Sequence, residues 1–118
     1  MKKQNILITG GSGFVGSHMV KKFAHEGNQV IVFDIMEPRY TLEKNMEYLK
    51  GDIFNPDSVQ NAVNRADVIV HLVGLADSGV AQKNPQKSFL LNVGSLQNVL
   101  EAARIAGNKK IVDRKSVV

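Results

Sequence analysis

A chain of 118 residues is the size of one domain and long enough to bury a single hydrophobic core. With 43% hydrophobic and 22% charged residues it has the composition of an ordinary folded protein, which excludes a disordered or fibrous chain. The net charge of +4 comes from scattered lysines and arginines, paired at Lys2-Lys3, Lys21-Lys22, Lys109-Lys110 and Arg114-Lys115, and reads as a solvated, mildly basic surface rather than a nucleic-acid footprint.

Cysteine is absent, so disulfides, thiolate chemistry and Cys-type zinc sites are excluded. His18, His25 and His71 have no ligand spacing between them, and no metal site is expected. No apolar run reaches membrane-spanning length, and the basic N-terminus leads into too short an apolar run for a signal-peptide core. The expected location is the cytoplasm, without a membrane partner.

In chain order, Ile6-Leu7-Ile8 is a β-branched-rich run ending at Thr9-Gly10-Gly11, which predicts a buried parallel strand entering a turn. Val15, Met19 and Phe23 then recur at helical spacing until Gly27-Asn28. Val30-Ile31-Val32-Phe33 predicts a second strand covered on both faces, ending at Asp34. Residues 35–50 mix polarity around Pro38, with a short third strand at Glu47-Tyr48-Leu49.

Asn55-Pro56 is a cap followed by proline in the first helical turn, and Val59, Ala62, Val63 and Ala66 share one helical face. Val68 to Val73 predicts the fourth strand. Asn84-Pro85 repeats the helix-start pattern, with Phe89, Val93, Leu96, Leu100 and Ala103 along the expected buried face until Gly107-Asn108. Ile111-Val112 opens a fifth strand. Strands alternating with helices predict a single α/β domain over residues 1–118: a Rossmann-type open parallel sheet of order 3-2-1-4-5 in a three-layer αβα arrangement.

The candidate chemistry lies in Gly11-x-Gly13-x-x-Gly16. These glycines permit the turn, let the backbone approach a pyrophosphate without a Cβ in the way, and allow close helix–strand packing. The helix that follows offers free N–H groups and partial positive charge to phosphates. The same spacing could merely make a tight strand-to-helix turn. Here it follows a predicted strand and opens a helix, and Asp34 ends the next strand eighteen residues after Gly16. A carboxylate there accepts hydrogen bonds from ribose hydroxyls and repels a 2′-phosphate, favouring NAD over NADP as cofactor. Arg39 could attract a 2′-phosphate instead, and Asp34 could be a solvated strand end.

Thr9-Gly10-Gly11-Ser12-Gly13-Phe14-Val15-Gly16-Ser17-His18 resembles the TGxxGFxGSH turn of the extended short-chain dehydrogenase/reductase family, the NAD-dependent epimerases and dehydratases of nucleotide sugars. Gly51-Asp52-Ile53 is similar to the GDI signature after that family's third strand. His71-Leu72-Val73-Gly74-Leu75 resembles its fourth-strand HxAG motif, with His71 read as a buried structural histidine. The segment from Asn92-Val93 to Arg104 is similar to its NVxGTxNxLEAAR helix, although Ser95 stands where the family usually has Gly. The resemblance implies dinucleotide contacts at Gly10, Gly13, Phe14, Val15, Gly16, Asp34, Ile35, Asp52, Ile53, Leu72, Val73, Gly74 and Asn92.

It also implies catalysis by a Tyr-x-x-x-Lys pair after the fifth strand and a Ser or Thr at that strand's end, for which Ser116 is the candidate catalytic residue. The chain stops before the Tyr and Lys positions, and Asp113-Arg114-Lys115 is unusually polar for a central strand. The expectation is therefore a nucleotide-binding front portion truncated after the fifth strand, about a third of a typical member and inactive alone, with a nucleotide-sugar substrate only for a complete chain. A non-catalytic NAD-binding module, or a fragment without function that self-associates through its exposed sheet edge, are the other readings. Tyr40-Thr41-Leu42-Glu43-Lys44 has the catalytic spacing but lies by the adenosine half, and is read as a decoy.

Overall fold

The computed structural model describes residues 3–73, 85–107 and 109–113. Five strands run through it: β1 (Asn5–Thr9), β2 (Gln29–Asp34), β3 (Met46–Lys50), β4 (Val68–His71) and β5 (Lys110–Asp113). Three helices are described with them, α1 (Phe14–His25), α2 (Pro56–Asn64) and α3 (Pro85–Ala106). All strand pairings are parallel and the order is β3-β2-β1-β4-β5, as the alternation of strand and helix predicts.

Side chains alternate across the sheet and divide the core in two. Ile6, Ile8, Val30, Val32 and Val70 pack with Val20 and Ala24 of α1 on one face. Leu7, Ile31, Phe33 and Ile69 pack with Val59, Ala62 and Val63 of α2 and Val99, Ala102 and Ala103 of α3 on the other. Full burial of each large apolar side chain contributes roughly 1.5–3 kcal/mol, so both helical layers are needed to hold a sheet this apolar. On α1 the deepest stripe is Gly16, Val20 and Ala24, with Val15, Met19 and Phe23 half-buried beside it.

Helix α3 departs from the sequence reading. The expected face of Phe89, Val93, Leu96, Leu100 and Ala103 is largely turned outward: Phe89 is 66% and Leu100 47% exposed. The buried residues are Ser95, Val99 and Ala102, together with Ala103, the member of the expected face that is buried as expected. Apolar residues occur on nearly every side of this helix, so periodicity selects no one face. The small side chains win because they let α3 sit close to α2 and the sheet. Among the described residues no helix is long and apolar enough to cross a membrane.

Candidate functional site

The strand order reverses between β1 and β4, and the C-terminal ends of the central strands open a crevice there. The Gly-rich turn lies at this point. Gly10 has φ +76°, a conformation glycine adopts without strain, and its N–H donates to the Phe33 carbonyl at 2.8 Å. Gly16 is needed for contact: a Cβ there would lie 2.5 Å from the Gly10 oxygen and 2.6 Å from Gly11 Cα. Gly13 differs, because a Cβ on it would meet only the Gly10 oxygen at 3.7 Å. The fold itself therefore leaves room for a side chain at Gly13.

Gly13 is also the N-cap of α1, and among the described residues no side chain caps the N–H groups of that first turn. They face outward with the positive end of the helix dipole, beside a cavity of about 630 Å³ lined by residues including Ser12, Gly13, Phe14, Lys21, Asp34, Arg39 and Tyr40. Phe14 stands at its lip, 80% exposed, edge-on to His18 with ring centroids 4.7 Å apart.

Asp34 is fixed at the end of β2. Its Oδ2 accepts the Ser12 N–H at 3.1 Å and its Oδ1 the Met36 N–H at 3.0 Å. Ser12 Oγ donates to the Met36 carbonyl at 2.7 Å, and the Tyr40 hydroxyl donates to the Gly11 carbonyl at 2.8 Å. The segment after β2 is thus folded back on the glycine turn. Burial, and then the Asp34 charge, push the Tyr40 phenol up to about 12. The Tyr40 hydroxyl is thus engaged as a clamp on the Gly11 carbonyl.

A second cavity, about 390 Å³, lies on the other side of Asp34 and is lined by Phe33, Ile35, Gly51, Asp52, Ile53, Phe54 and Val73. Gly51 makes room for the Phe33 ring, since a Cβ would approach its edge to 2.4 Å. Asp52 Oδ1 accepts the Phe54 N–H at 2.9 Å, and the Asp52 carbonyl accepts the Asn55 N–H at 2.9 Å. The walls are mostly apolar with carboxylates at the rim, a slot for a flat ring with polar edges.

A buried polar chain links β1, β4 and α3. Thr9 Oγ1 is 2.7 Å from His71 Nδ1, and His71 Nε2 is 3.3 Å from Ser95 Oγ. Ser95, a residue that departs from the family motif, thus meets His71, which is buried as the sequence reading has it.

Of the candidate binding residues, Gly13, Phe14 and Asp34 line the first cavity, and Asp34, Ile35, Asp52, Ile53 and Val73 the second. Gly10 and Gly16 shape the turn between them. Val15 is half-buried against the core, Leu72 is buried, and Asn92 on α3 is half-buried and lines neither cavity. Gly74 and Ser116 lie outside the described residues. Sequence reasoning missed Ser12 and Tyr40 as clamps, and Asn98, whose Nδ2 donates to the Ile53 carbonyl at 3.0 Å and holds the wall of the second cavity. Asn98 stands within the helix motif already quoted, which was the available signal.

A parallel sheet of this order, with a glycine turn and an open helix start at its switch point and a carboxylate closing the second strand, defines a Rossmann-class α/β domain. The chain belongs to the NAD dependent epimerase/dehydratase family, whose model matches residues 6–117. It is 33% identical over 111 residues to a 3 beta-hydroxysteroid dehydrogenase/Delta 5-->4-isomerase of Mycobacterium tuberculosis (strain CDC 1551 / Oshkosh), covering 91% of this chain and 30% of that protein. An epimerase structure from Methanothermobacter thermautotrophicus superposes with a TM-score of 0.82 at 30% identity, over 95% of this chain and 35% of the other. The UDP-glucose 4-epimerase of Thermus thermophilus, solved in complex with NAD, gives 0.79 at 30% identity, over 91% of this chain and 36% of that one. The chain therefore spans about a third of the length of the proteins it matches.

Proposed function

We propose that these 118 residues are the NAD-binding portion of an NAD-dependent epimerase or dehydratase acting on a nucleotide sugar. The observation that carries this is the uncapped start of α1, opening at a side-chain-free Gly13 onto a cavity with Asp34 on its wall. A dinucleotide fits these residues. The first-turn N–H groups of α1 would take the pyrophosphate, which needs no lysine there. Each Asp34 oxygen already holds one backbone N–H and keeps a further lone pair for a ribose hydroxyl. The cavity between Ile35, Ile53 and Phe54 would hold the adenine ring. The Asp34 charge disfavours a 2′-phosphate, so NAD is preferred to NADP.

When bound, NAD supplies a hydride acceptor and donor at a substrate carbon. The family and the structural neighbours favour the epimerase chemistry, while the hydroxysteroid relative uses a different substrate, so the nucleotide sugar belongs to the complete enzyme. The role assigned to the described residues is to bind and orient the dinucleotide. Titration with NADH, followed by fluorescence or calorimetry, tests the reading. Binding is expected to be lost in Gly13→Trp and weakened about tenfold in Asp34→Ala; binding that survives both substitutions rejects the site.

A further inference from the structure

One peptide group of the glycine turn is held at both edges by β2 and the segment that follows it. The Gly11 carbonyl and the Ser12 N–H belong to the same planar trans unit and point in opposite directions. The carbonyl accepts the Tyr40 hydroxyl at 2.8 Å, and the N–H donates to Asp34 Oδ2 at 3.1 Å. Asp34 is set from other sides as well: its Oδ1 accepts the Met36 N–H at 3.0 Å, and its backbone carbonyl accepts the Tyr48 hydroxyl and the Gly51 N–H, each at 3.2 Å. Of these partners only the Ser12 N–H comes from the glycine turn, where Gly11 and Gly13 set no side chain against rotation of the backbone. Turned over, the Gly11–Ser12 peptide would take its N–H away from Asp34 and bring a carbonyl oxygen toward the carboxylate, two negative groups facing each other.

Tyr40 is placed to prevent that rotation. Its ring packs on the core layer that β1 and β2 share with α1, and Lys21 Nζ of α1 lies 5.7 Å from the ring centroid, so the hydroxyl reaches Gly11 from a ring held on two sides. We infer that Tyr40 is a positioning residue for the dinucleotide: by holding the Gly11 carbonyl it fixes the Gly11–Ser12 peptide with its N–H on Asp34, and so keeps that carboxylate oriented toward the ribose. The consequence for NADH affinity rests on the dinucleotide reading above; the hold on the peptide does not.

The test is Tyr40→Phe in the 118-residue chain, which keeps the ring, its packing and the Lys21 contact and removes only the hydroxyl. Amide hydrogen exchange of the 15N-labelled parent should show the Ser12 N–H protected relative to those of Phe14 and Val15, which no side chain among the described residues caps. In Tyr40→Phe the Ser12 protection should fall about tenfold, and the NADH Kd should rise about 3- to 10-fold. In an Asp34→Ala background the same substitution should change the Kd less than about twofold, because Tyr40 acts through Asp34; a general loss of structure would cost as much in either background. A parent Ser12 amide no better protected than that of Phe14 overturns the inference, even if Tyr40→Phe fails to fold. Unchanged Ser12 protection in Tyr40→Phe, or Kd effects that simply multiply in the double variant, overturn it too. Should the parent bind no NADH, the dinucleotide reading falls and the Ser12 exchange rates alone decide what Tyr40 holds.

Discussion

Helices α1 and α2 both start one loop after a strand, yet their first turns are finished in opposite ways. At α2, Asn55 Oδ1 accepts the N–H groups of Asp57 at 3.1 Å and Ser58 at 3.3 Å, Pro56 has no N–H to satisfy, and Asp57 adds negative charge to the first turn. At α1 the cap is Gly13, no side chain among the described residues caps the first turn, and no acid lies within it. A capping side chain is worth about 0.5–2 kcal/mol, and α1 goes without it. The difference teaches how to separate a helix start built for stability from one left available to an anion: α2 consumes its own donors, whereas α1 keeps them at the mouth of a cavity.

The sharpest way to break this comparison is at its glycines, which should fail for different reasons. Gly16→Ala drives a Cβ into the Gly10 oxygen and Gly11 Cα, backbone atoms that cannot swing aside. A loss of about 3 kcal/mol in denaturant unfolding is expected, with NADH binding lost as a consequence. Gly13→Asp has room for its Cβ and places a carboxylate at the N-cap, so stability should rise by about 0.3–1 kcal/mol. The same charge would face the pyrophosphate, and NADH affinity should fall about a hundredfold. If Gly13→Asp lost stability, or kept its affinity, the start of α1 would not be an anion site.

Much of this arrangement was legible in the sequence because its causes are local. The glycine turn, Asn55-Pro56 and the unbroken apolar runs of β1 and β2 each reflect one constraint acting over a few residues. What stayed hidden depends on contacts distant in sequence. The buried face of α3 is set by what Ser95, Val99, Ala102 and Ala103 pack against, and a helix apolar on nearly all sides carries no periodic trace of that choice. Tyr40 reaches Gly11 and Asn98 reaches Ile53 through side-chain bonds across 29 and 45 residues, which no spacing rule anticipates. Ser95 looked like a weakening of a motif and is instead a buried hydroxyl in contact with His71.

On the α2 side the effects should be smaller and confined to stability. Asn55→Ala removes the acceptor for two first-turn N–H groups and should cost about 1 kcal/mol by chemical denaturation. NADH affinity should change less than about twofold, because the first turn of α2 lines neither cavity. A loss of affinity as large as that of Gly13→Asp would mean that the two helix starts are coupled, and the contrast between them would collapse.

The far end of α2 gives the smallest expected effect and a pH signature. Its C-cap Arg65 meets Glu47 of β3 through two bonds, Nη2 to Oε1 at 2.7 Å and Nη1 to Oε2 at 3.0 Å. The hydrogen bond from Arg65 holds the Glu47 carboxyl below its ordinary value of 4.5. A carboxylate lowered in the folded state contributes stability above its unfolded pKa and loses it as pH falls through the lowered folded value. Both side chains are substantially exposed, so solvent screening keeps the contribution below about 1 kcal/mol. Unfolding followed from about pH 7 down to about pH 3 should show this part of the acid loss in the parent and not in Glu47→Gln, with the gap between them shrinking in high salt. Equal acid profiles for the two chains would show that α2 is held by its cap and its apolar face, and that the ion pair adds nothing to the asymmetry with α1.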